Sequence, residues 1–290
     1  MSHLLDIRHL HLAFKGLGGL TEVLHGITLD IAAGERVALV GESGSGKSVT
    51  ARIVLGLLQE MRNARVTGRV GFDGADIMTM APKDRARLRG TEMSMIFQDP
   101  TSSLNPTFTI GNQFAEVIRR RDPRLNQAAC DARATEMLSE VSIPDPGRVL
   151  ANYPFQLSGG MNQRVMIAMA LVNNPKLLLA DEPGTALDVS VQAQTLRLMH
   201  DLVEKHRTAV LFISHNLGVV REFADRVYVI YRGRIVETGP TGAIFHNPGH
   251  AYTRALMDAV PRITGAGLPA VPEVSDDFLA PIVRHEGGTS

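Results

Sequence analysis

Cysteine is almost missing from this sequence. Cys130 is the only one in 290 residues, so no disulfide can close within the chain and no site built from thiolates alone can hold a metal, which agrees with a reducing compartment. Long apolar runs are missing too. None approaches the roughly 18 residues that cross a bilayer, and the opening MSHLLDIRHLH lacks the charged-then-apolar layout of a signal peptide, so the expected compartment is the cytoplasm. Nor is there an excess of either charge. Lys+Arg and Asp+Glu both number 30 and the isoelectric point is near 7.2, which argues against nucleic acid as a partner and against an electrostatic membrane anchor. Any membrane attachment is expected to run through a protein partner.

What is present centres on Arg36 to Leu58, RVALVGESGSGKSVTARIVLGLL. Val37 to Val40 reads as a buried strand, followed at once by Gly41-Glu-Ser-Gly-Ser-Gly-Lys47-Ser48, the spacing G-x-x-x-x-G-K-[ST] of a phosphate-binding P-loop. Gly41, Gly44 and Gly46 can take positive φ, so successive backbone N–H groups can turn inward around phosphate oxygens. Lys47 supplies a point charge and Ser48 a hydroxyl for Mg2+, and Ser43, Ser45 and Val49 complete the expected nucleotide contacts. A helix is expected from Lys47 onward, its positive end facing the same phosphates. Bound ATP with Mg2+ is the expectation.

Around this stretch the pattern is α/β. Residues 4 to 14 and 24 to 31 read as strands of an antiparallel edge layer, joined by the glycine-rich Gly16 to Gly19. Short strands are expected at Gly68 to Phe72 and Met93 to Phe97, with a helix at Pro82 to Leu88. From Thr101 to about Asn174 strand signals stop. Ala134, Met137, Leu138 and Val141 share one helical face, as do Val165, Ala168, Met169 and Val172, so a helical insert is expected. Apolar strands return at Leu177 to Ala180, Ala209 to Ile213 and Val227 to Ile230 with helices between, the pattern of a parallel sheet with crossover helices. From about Gly239 the composition shifts, with one helix near 250 to 259, and Gly265 to Ser290 reads as a loosely held tail.

Several residues carry chemistry. Leu177 to Glu182 ends a buried strand in two carboxylates, where open α/β sheets bind ligands; Asp181 would hold Mg2+ and Glu182 would polarise the attacking water. Ser158, Gly159 and Gly160 precede a helix, which is either ordinarily capped or bares its first N–H groups to an anion. His215 follows an apolar strand, where it reads as a surface residue or as a γ-phosphate ligand. Phe14, near the end of the first strand, is either core or a face for adenine.

In that order GESGSGKS, Gln98, LSGGMNQR, LLLADE, the loop Thr185 to Asp188 and His215 resemble the motif set of an ABC transporter ATPase subunit, over roughly residues 4 to 260. FQDPTSSLNP at 97 to 106, DVSVQAQ at 188 to 194 and NPGHAYTRAL at 247 to 256 further resemble the oligopeptide, dipeptide and nickel importer branch. The resemblance implies a P-loop NTPase fold: a parallel sheet core, an antiparallel β edge layer and an inserted helical subdomain at about 101–174. It places the ATPase domain at 1–240 and the branch's C-terminal extension at 241–290.

It also implies roles. Phe14 would stack adenine, Gln98 would sense Mg2+ and water, and His215 would contact the γ-phosphate. Ser158, Gly159 and Gly160 would complete the site of a second, homologous ATPase subunit in a head-to-tail dimer. The dimer would drive two membrane permease subunits, docked at the segment after Gln98 and at the helical insert, and served by an extracytoplasmic solute-binding protein. That would hold the chain at the cytoplasmic face of the inner membrane. Its cargo would be peptides, nickel or metallophores, or related small solutes. The alternative is an ABC-type ATPase of a soluble complex such as phosphonate lyase. The sequence departs from the family at Asn162, Gly184 and Ala251, where Arg, Thr and Pro are usual, and Asn162 is expected near the partner's nucleotide.

Overall fold

The computed structural model describes residues 3–99, 103–184, 189–259 and 276–283. Two compact units divide the chain: Met1–Met80 with Leu211–Ser290, and Ala81–Val210. The first unit opens with β1 (Leu5–Gly16), β2 (Gly19–Ile31), β3 (Arg36–Val40), α1 (Lys47–Val54), β4 (Ala64–Phe72) and β5 (Ala75–Asp76). β1 lies between β2 and β4, antiparallel to both, with β5 beyond β4. This is the expected edge layer, with strands that run further than the sequence suggests. Ladder bonding continues to Gly16 opposite Gly19, where the side chains are exposed and hydrophobic alternation leaves no mark.

One irregularity in β1 was written in the sequence. Leu5, Ile7, Leu10 and Leu12 are all fully buried, yet the spacing changes from odd to even after Ile7, which would turn a regular strand inside out. A bulge absorbs the extra residue: His9 has φ 47 and the register shifts there against both neighbours. Gly68 on β4 makes room, because a Cβ there would meet the His9 carbonyl.

The second unit contains α2 (Pro82–Leu88), β6 (Met93–Ile96), α3 (Ile110–Arg121), α4 (Gln127–Glu140), α5 (Pro146–Ala151), α6 (Gly159–Leu171), β7 (Leu177–Asp181) and α7 (Val189–Lys205). β6 and β7 pair in parallel from Met93 and Leu177 onward. Local chemistry sets the helix starts: Thr109, Asn126 and Ser158 each accept an N–H of the first turn, and Asp145 does so before Pro146 at the first helical position. On α4 the predicted face of Ala134, Met137, Leu138 and Val141 is buried. α6 departs from its expectation. Besides Val165, Ala168 and Val172, it buries Met166, Ile167 and Leu171, while Met169 is only half-buried. It packs against α4, β6 and α7 together, and a helix covered on several sides has no single apolar face to read.

β8 (Ala209–Ile213) is buried along its whole length. The first unit then resumes with α8 (Leu217–Phe223), β9 (Arg226–Tyr231), β10 (Arg234–Pro240), α9 (Thr241–His246), α10 (Ala251–Asp258) and β11 (Ile282–Val283). β3 and β9 are parallel, whereas β10 runs antiparallel to β9. The sequence did not announce β10, because the fully buried Glu237 interrupts its apolar run.

The expectation of a loosely held tail is overturned for one segment. β11 pairs in parallel with β10, and the Phe278 ring lies 5.7 Å from Tyr231, 5.8 Å from Tyr252 and 6.3 Å from His250. Residues 265–275 and 284–290 of that expected tail, Pro100 to Ser102 of the FQDPTSSLNP match, and the Thr185 to Asp188 loop lie outside the described residues.

Phe278→Ala tests whether these rings hold the segment. Phe278 is half-buried, so the loss should be about 1–3 kcal/mol, under the ~3–5 kcal/mol of a fully buried phenylalanine. The expected outcome is a lower denaturant midpoint, and an unchanged midpoint would show that β11 docks without it.

Candidate nucleotide-binding site

The P-loop runs from the end of β3 into α1, and the fold holds it from outside at several atoms. Gly41, Gly44 and Gly46 have φ 156, 80 and 108. At Gly46, the residue that caps α1, two constraints coincide. Its backbone is left-handed, and an added Cβ would stand 2.5 Å from Leu24 Cδ2. The Gly46 carbonyl accepts the Thr50 hydroxyl at 2.8 Å, and the Ser45 carbonyl accepts the Gly233 N–H at 3.0 Å. The Glu42 N–H donates to the Tyr252 hydroxyl at 3.0 Å.

Lys47 is 5% exposed, and its ammonium donates to the Gly41 and Glu42 carbonyls at 2.8 and 2.7 Å. Ser45 Oγ is buried without a hydrogen-bond partner in the structure. A buried hydroxyl left over in a loop with left-handed glycines and a lysine at its mouth fits a polyphosphate, which supplies acceptors for such donors. Ser43 and Gly44 are exposed, and Ser48 and Val49 half-buried, at the start of α1.

Two more expected residues lie in this unit. Phe14 is half-buried on β1, opposite Thr21 of β2 and Ala64 of β4, so it is not a core residue. His215 is exposed just past β8. The neighbouring turn is hydrogen-bonded: Ser214 Oγ accepts the Asn216 N–H at 3.0 Å, and Asn216 caps α8.

In the second unit β7 delivers Asp181, 5% exposed, at its last position, and Glu182 directly after it. Glu182 has φ 50, an uncommon conformation for a residue with a Cβ. Such strain concentrates at functional sites. Gln98, two residues past β6, donates its Nε2–H to Glu182 Oε2 at 3.1 Å. Two residues distant in sequence and singled out separately are thus in direct contact. Ser158 caps α6 by accepting the Met161 N–H at 3.3 Å; Ser158 and Gly159 are exposed and Gly160 half-buried.

Residues 24–185 match the ABC transporter family, and residues 236–276 match the oligopeptide/dipeptide transporter C-terminal region. The chain belongs to the ABC transporter family. It is 44% identical to the oligopeptide transport ATP-binding protein OppD of Bacillus subtilis, across 97% of this chain and 79% of that protein. It is 45% identical to the probable D,D-dipeptide transport ATP-binding protein DdpD of Escherichia coli, across 92% of this chain and 82% of that protein. Among solved structures it is similar to the ATP-binding cassette MJ0796, in a dimeric post-hydrolysis state bound to ADP and Pi, with a TM-score of 0.72 at 27% identity over 82% of this chain and 98% of that one. As a member of this family the chain is an ATP-binding ATPase.

The three departures from the family pattern now have surroundings. Asn162 is 4% exposed, and its Nδ2 donates to the Pro154 carbonyl at 3.0 Å. A Cβ at Gly184 would stand 2.9 Å from Gln192 Cγ, so the Gln192 side chain occupies the space that a larger residue would need. Ala251 is the first residue of α10, a position where proline and alanine are both tolerated because that N–H has no partner within the helix. Sequence reasoning missed Tyr252 altogether. Its tyrosine sits in the NPGHAYTRAL run already singled out, but nothing in the run shows that it reaches back to Glu42.

Gly46→Ala should abolish most nucleotide binding. The left-handed backbone alone costs a residue with a Cβ about 1–2 kcal/mol, and the Leu24 contact forces the loop to shift. Titration with a fluorescent ATP analogue checks this, and near-normal affinity would show that the loop reaches its binding shape without a glycine there.

Proposed function

We propose that this chain is the ATP-hydrolysing subunit of an importer for peptides or related small solutes, including nickel or metallophore complexes. The observation that carries the importer reading is the match of residues 236–276 to the oligopeptide/dipeptide transporter C-terminal region, whose described residues 236–259 belong to the unit that bears the P-loop. The names of the similar Bacillus subtilis and Escherichia coli proteins support the same cargo class. Mg2+ would be held by Ser48 and Asp181 with Gln98 nearby, and Glu182 would act as the base toward the water that attacks the γ-phosphate. His215 would contact that phosphate and Phe14 would stack the adenine.

The exposed start of α6 would serve a second ATPase subunit. Ser158, Gly159 and Gly160 offer a hydroxyl, N–H groups and a helix N-terminus, which together can stabilise the charge spread over a transferring phosphoryl group. Two permease subunits would carry the cargo and hold the chain at the cytoplasmic face of the inner membrane. Among the described residues no helix is long and apolar enough to cross a membrane. Co-purification with membrane permeases is the expected result, and transport of a peptide by the reconstituted complex tests the cargo. Recovery only with soluble enzymes would overturn the importer reading.

Glu182→Gln keeps the shape but removes the basicity, so turnover should fall about 10² to 10⁴-fold while ATP still binds. Near-normal turnover in steady-state assays would remove Glu182 from this role.

Ser158→Arg fills the glycine-lined start of α6 with a long side chain, so hydrolysis at the partner's P-loop should be lost while Lys47 of the same chain still binds ATP. Two kinds of dimer separate the sites. In one mixed from Ser158→Arg and Lys47→Ala chains, one composite site carries both lesions and the other neither, and activity from one site is expected. A dimer of Ser158→Arg chains alone should be inactive. Wild-type hydrolysis by that second dimer would end the trans-acting role.

A further inference from the structure

The Gly41–Glu42 peptide bond is gripped at both of its polar atoms. Its carbonyl accepts the Lys47 ammonium at 2.8 Å, and its N–H donates to the Tyr252 hydroxyl at 3.0 Å. A charge on one side of an amide polarises it and strengthens the bond on the other side, so the two contacts reinforce each other. Lys47 belongs to the nucleotide loop. Tyr252 belongs to α10, in the C-terminal region that lies far from that loop in sequence.

Tyr252 is itself held with little freedom. It is 1% exposed, with its ring 4.4 Å from Tyr231 and 5.8 Å from Phe278. Its own N–H donates to His250 Nδ1 at 3.1 Å, and the N–H groups of Gly249 and His250 donate to the fully buried Glu237 carboxylate at 2.8 and 3.1 Å. Glu237 lies on β10, which pairs with β9, so the start of α10 is fixed to the same sheet that carries the P-loop strand β3. Burial pushes the Tyr252 phenol up to about 12, so it stays protonated, and the contact persists across the physiological range.

We propose that Tyr252 is a positioning residue for ATP binding: its hydroxyl fixes the Gly41–Glu42 peptide, and through it the C-terminal region preorganises the P-loop. The stretch Glu42 to Gly44 is exposed, follows Gly41 and ends in a second glycine, so without an anchor it would sample several shapes in the free protein. Only the shape with converging N–H groups binds phosphate, and affinity falls in proportion to the fraction of molecules that hold it. The hydroxyl is bonded to loop backbone, and Tyr252 is not among the residues assigned to the phosphates, the metal or the attacking water. Its loss should therefore act on binding and leave the chemical step alone.

The inference rests on ATP binding by this loop, and the wild-type titration tests that separately. Tyr252→Phe keeps the ring among Tyr231 and Phe278 and removes only the oxygen. KM and Kd for ATP should rise about three- to tenfold, the range that one net hydrogen bond supplies, with kcat at saturating ATP within about twofold. Amide hydrogen exchange in the peptide covering Glu42 should speed up. Tyr231→Phe is the control. Its hydroxyl is buried without a hydrogen-bond partner in the structure, so KM should not move. A Tyr252→Phe protein with wild-type KM, or with kcat reduced at unchanged KM, would overturn the proposal, as would unchanged exchange at Glu42. If wild type itself fails to bind ATP, the family-based reading of the loop fails instead.

Discussion

A loop that grips phosphate with backbone N–H groups cannot also spend those groups on its own structure. That constraint governs the unit built around β3. The donors must converge on empty space, so the loop's shape has to be enforced through its other atoms: its carbonyls, its glycine conformations and the few N–H groups that point away. The structure uses each of them. Thr50 and Gly233 hold carbonyls, Tyr252 holds an outward N–H, and Leu24 closes off the space beside Gly46. The Lys47 ammonium shows the same economy, since its charge is buried on the Gly41 and Glu42 carbonyls.

Much of this was legible in the sequence, for identifiable reasons. The P-loop is a local motif, and its glycines, lysine and serine specify both conformation and ligand within eight residues. Strands covered on both faces, such as β8 and the body of β7, are apolar along their length and stand out wherever they occur. The helix starts at Thr109, Asn126, Asp145 and Ser158 were readable in principle, because a cap is a contact across three residues. Even the β1 bulge is visible as a missed beat between Ile7 and Leu10.

What was not legible depends on contacts between residues far apart in the chain. β10 is a strand because β9 lies beside it on one side and β11 on the other, and its central Glu237 is buried because two N–H groups at the start of α10 need an acceptor. Neither fact is local. The segment around Phe278 follows one of the most loosely patterned parts of the sequence, and one aromatic ring within SDDFLAPIV gives no period to read. The burial of Asn162 is no more local, because the body of α6 is covered on several sides and draws in an amide only three residues past the exposed Gly159.

The signature segment shows how such a cost can be weighed. Glycine inside a helix is about 0.5–1 kcal/mol worse than alanine, and α6 begins with two. Internal packing accounts for Gly160, because a Cβ there would press on Val191 Cγ1 at 3.1 Å. It does not account for Gly159, which is exposed. Ser158, by contrast, stabilises the same helix end by accepting the Met161 N–H. A helix start that combines a good cap with an exposed glycine keeps its geometry while giving up some stability, and what it gains is backbone that another molecule can approach closely. The P-loop follows the same design from the other direction, with glycines opening the backbone and distant side chains restoring the order that the glycines remove.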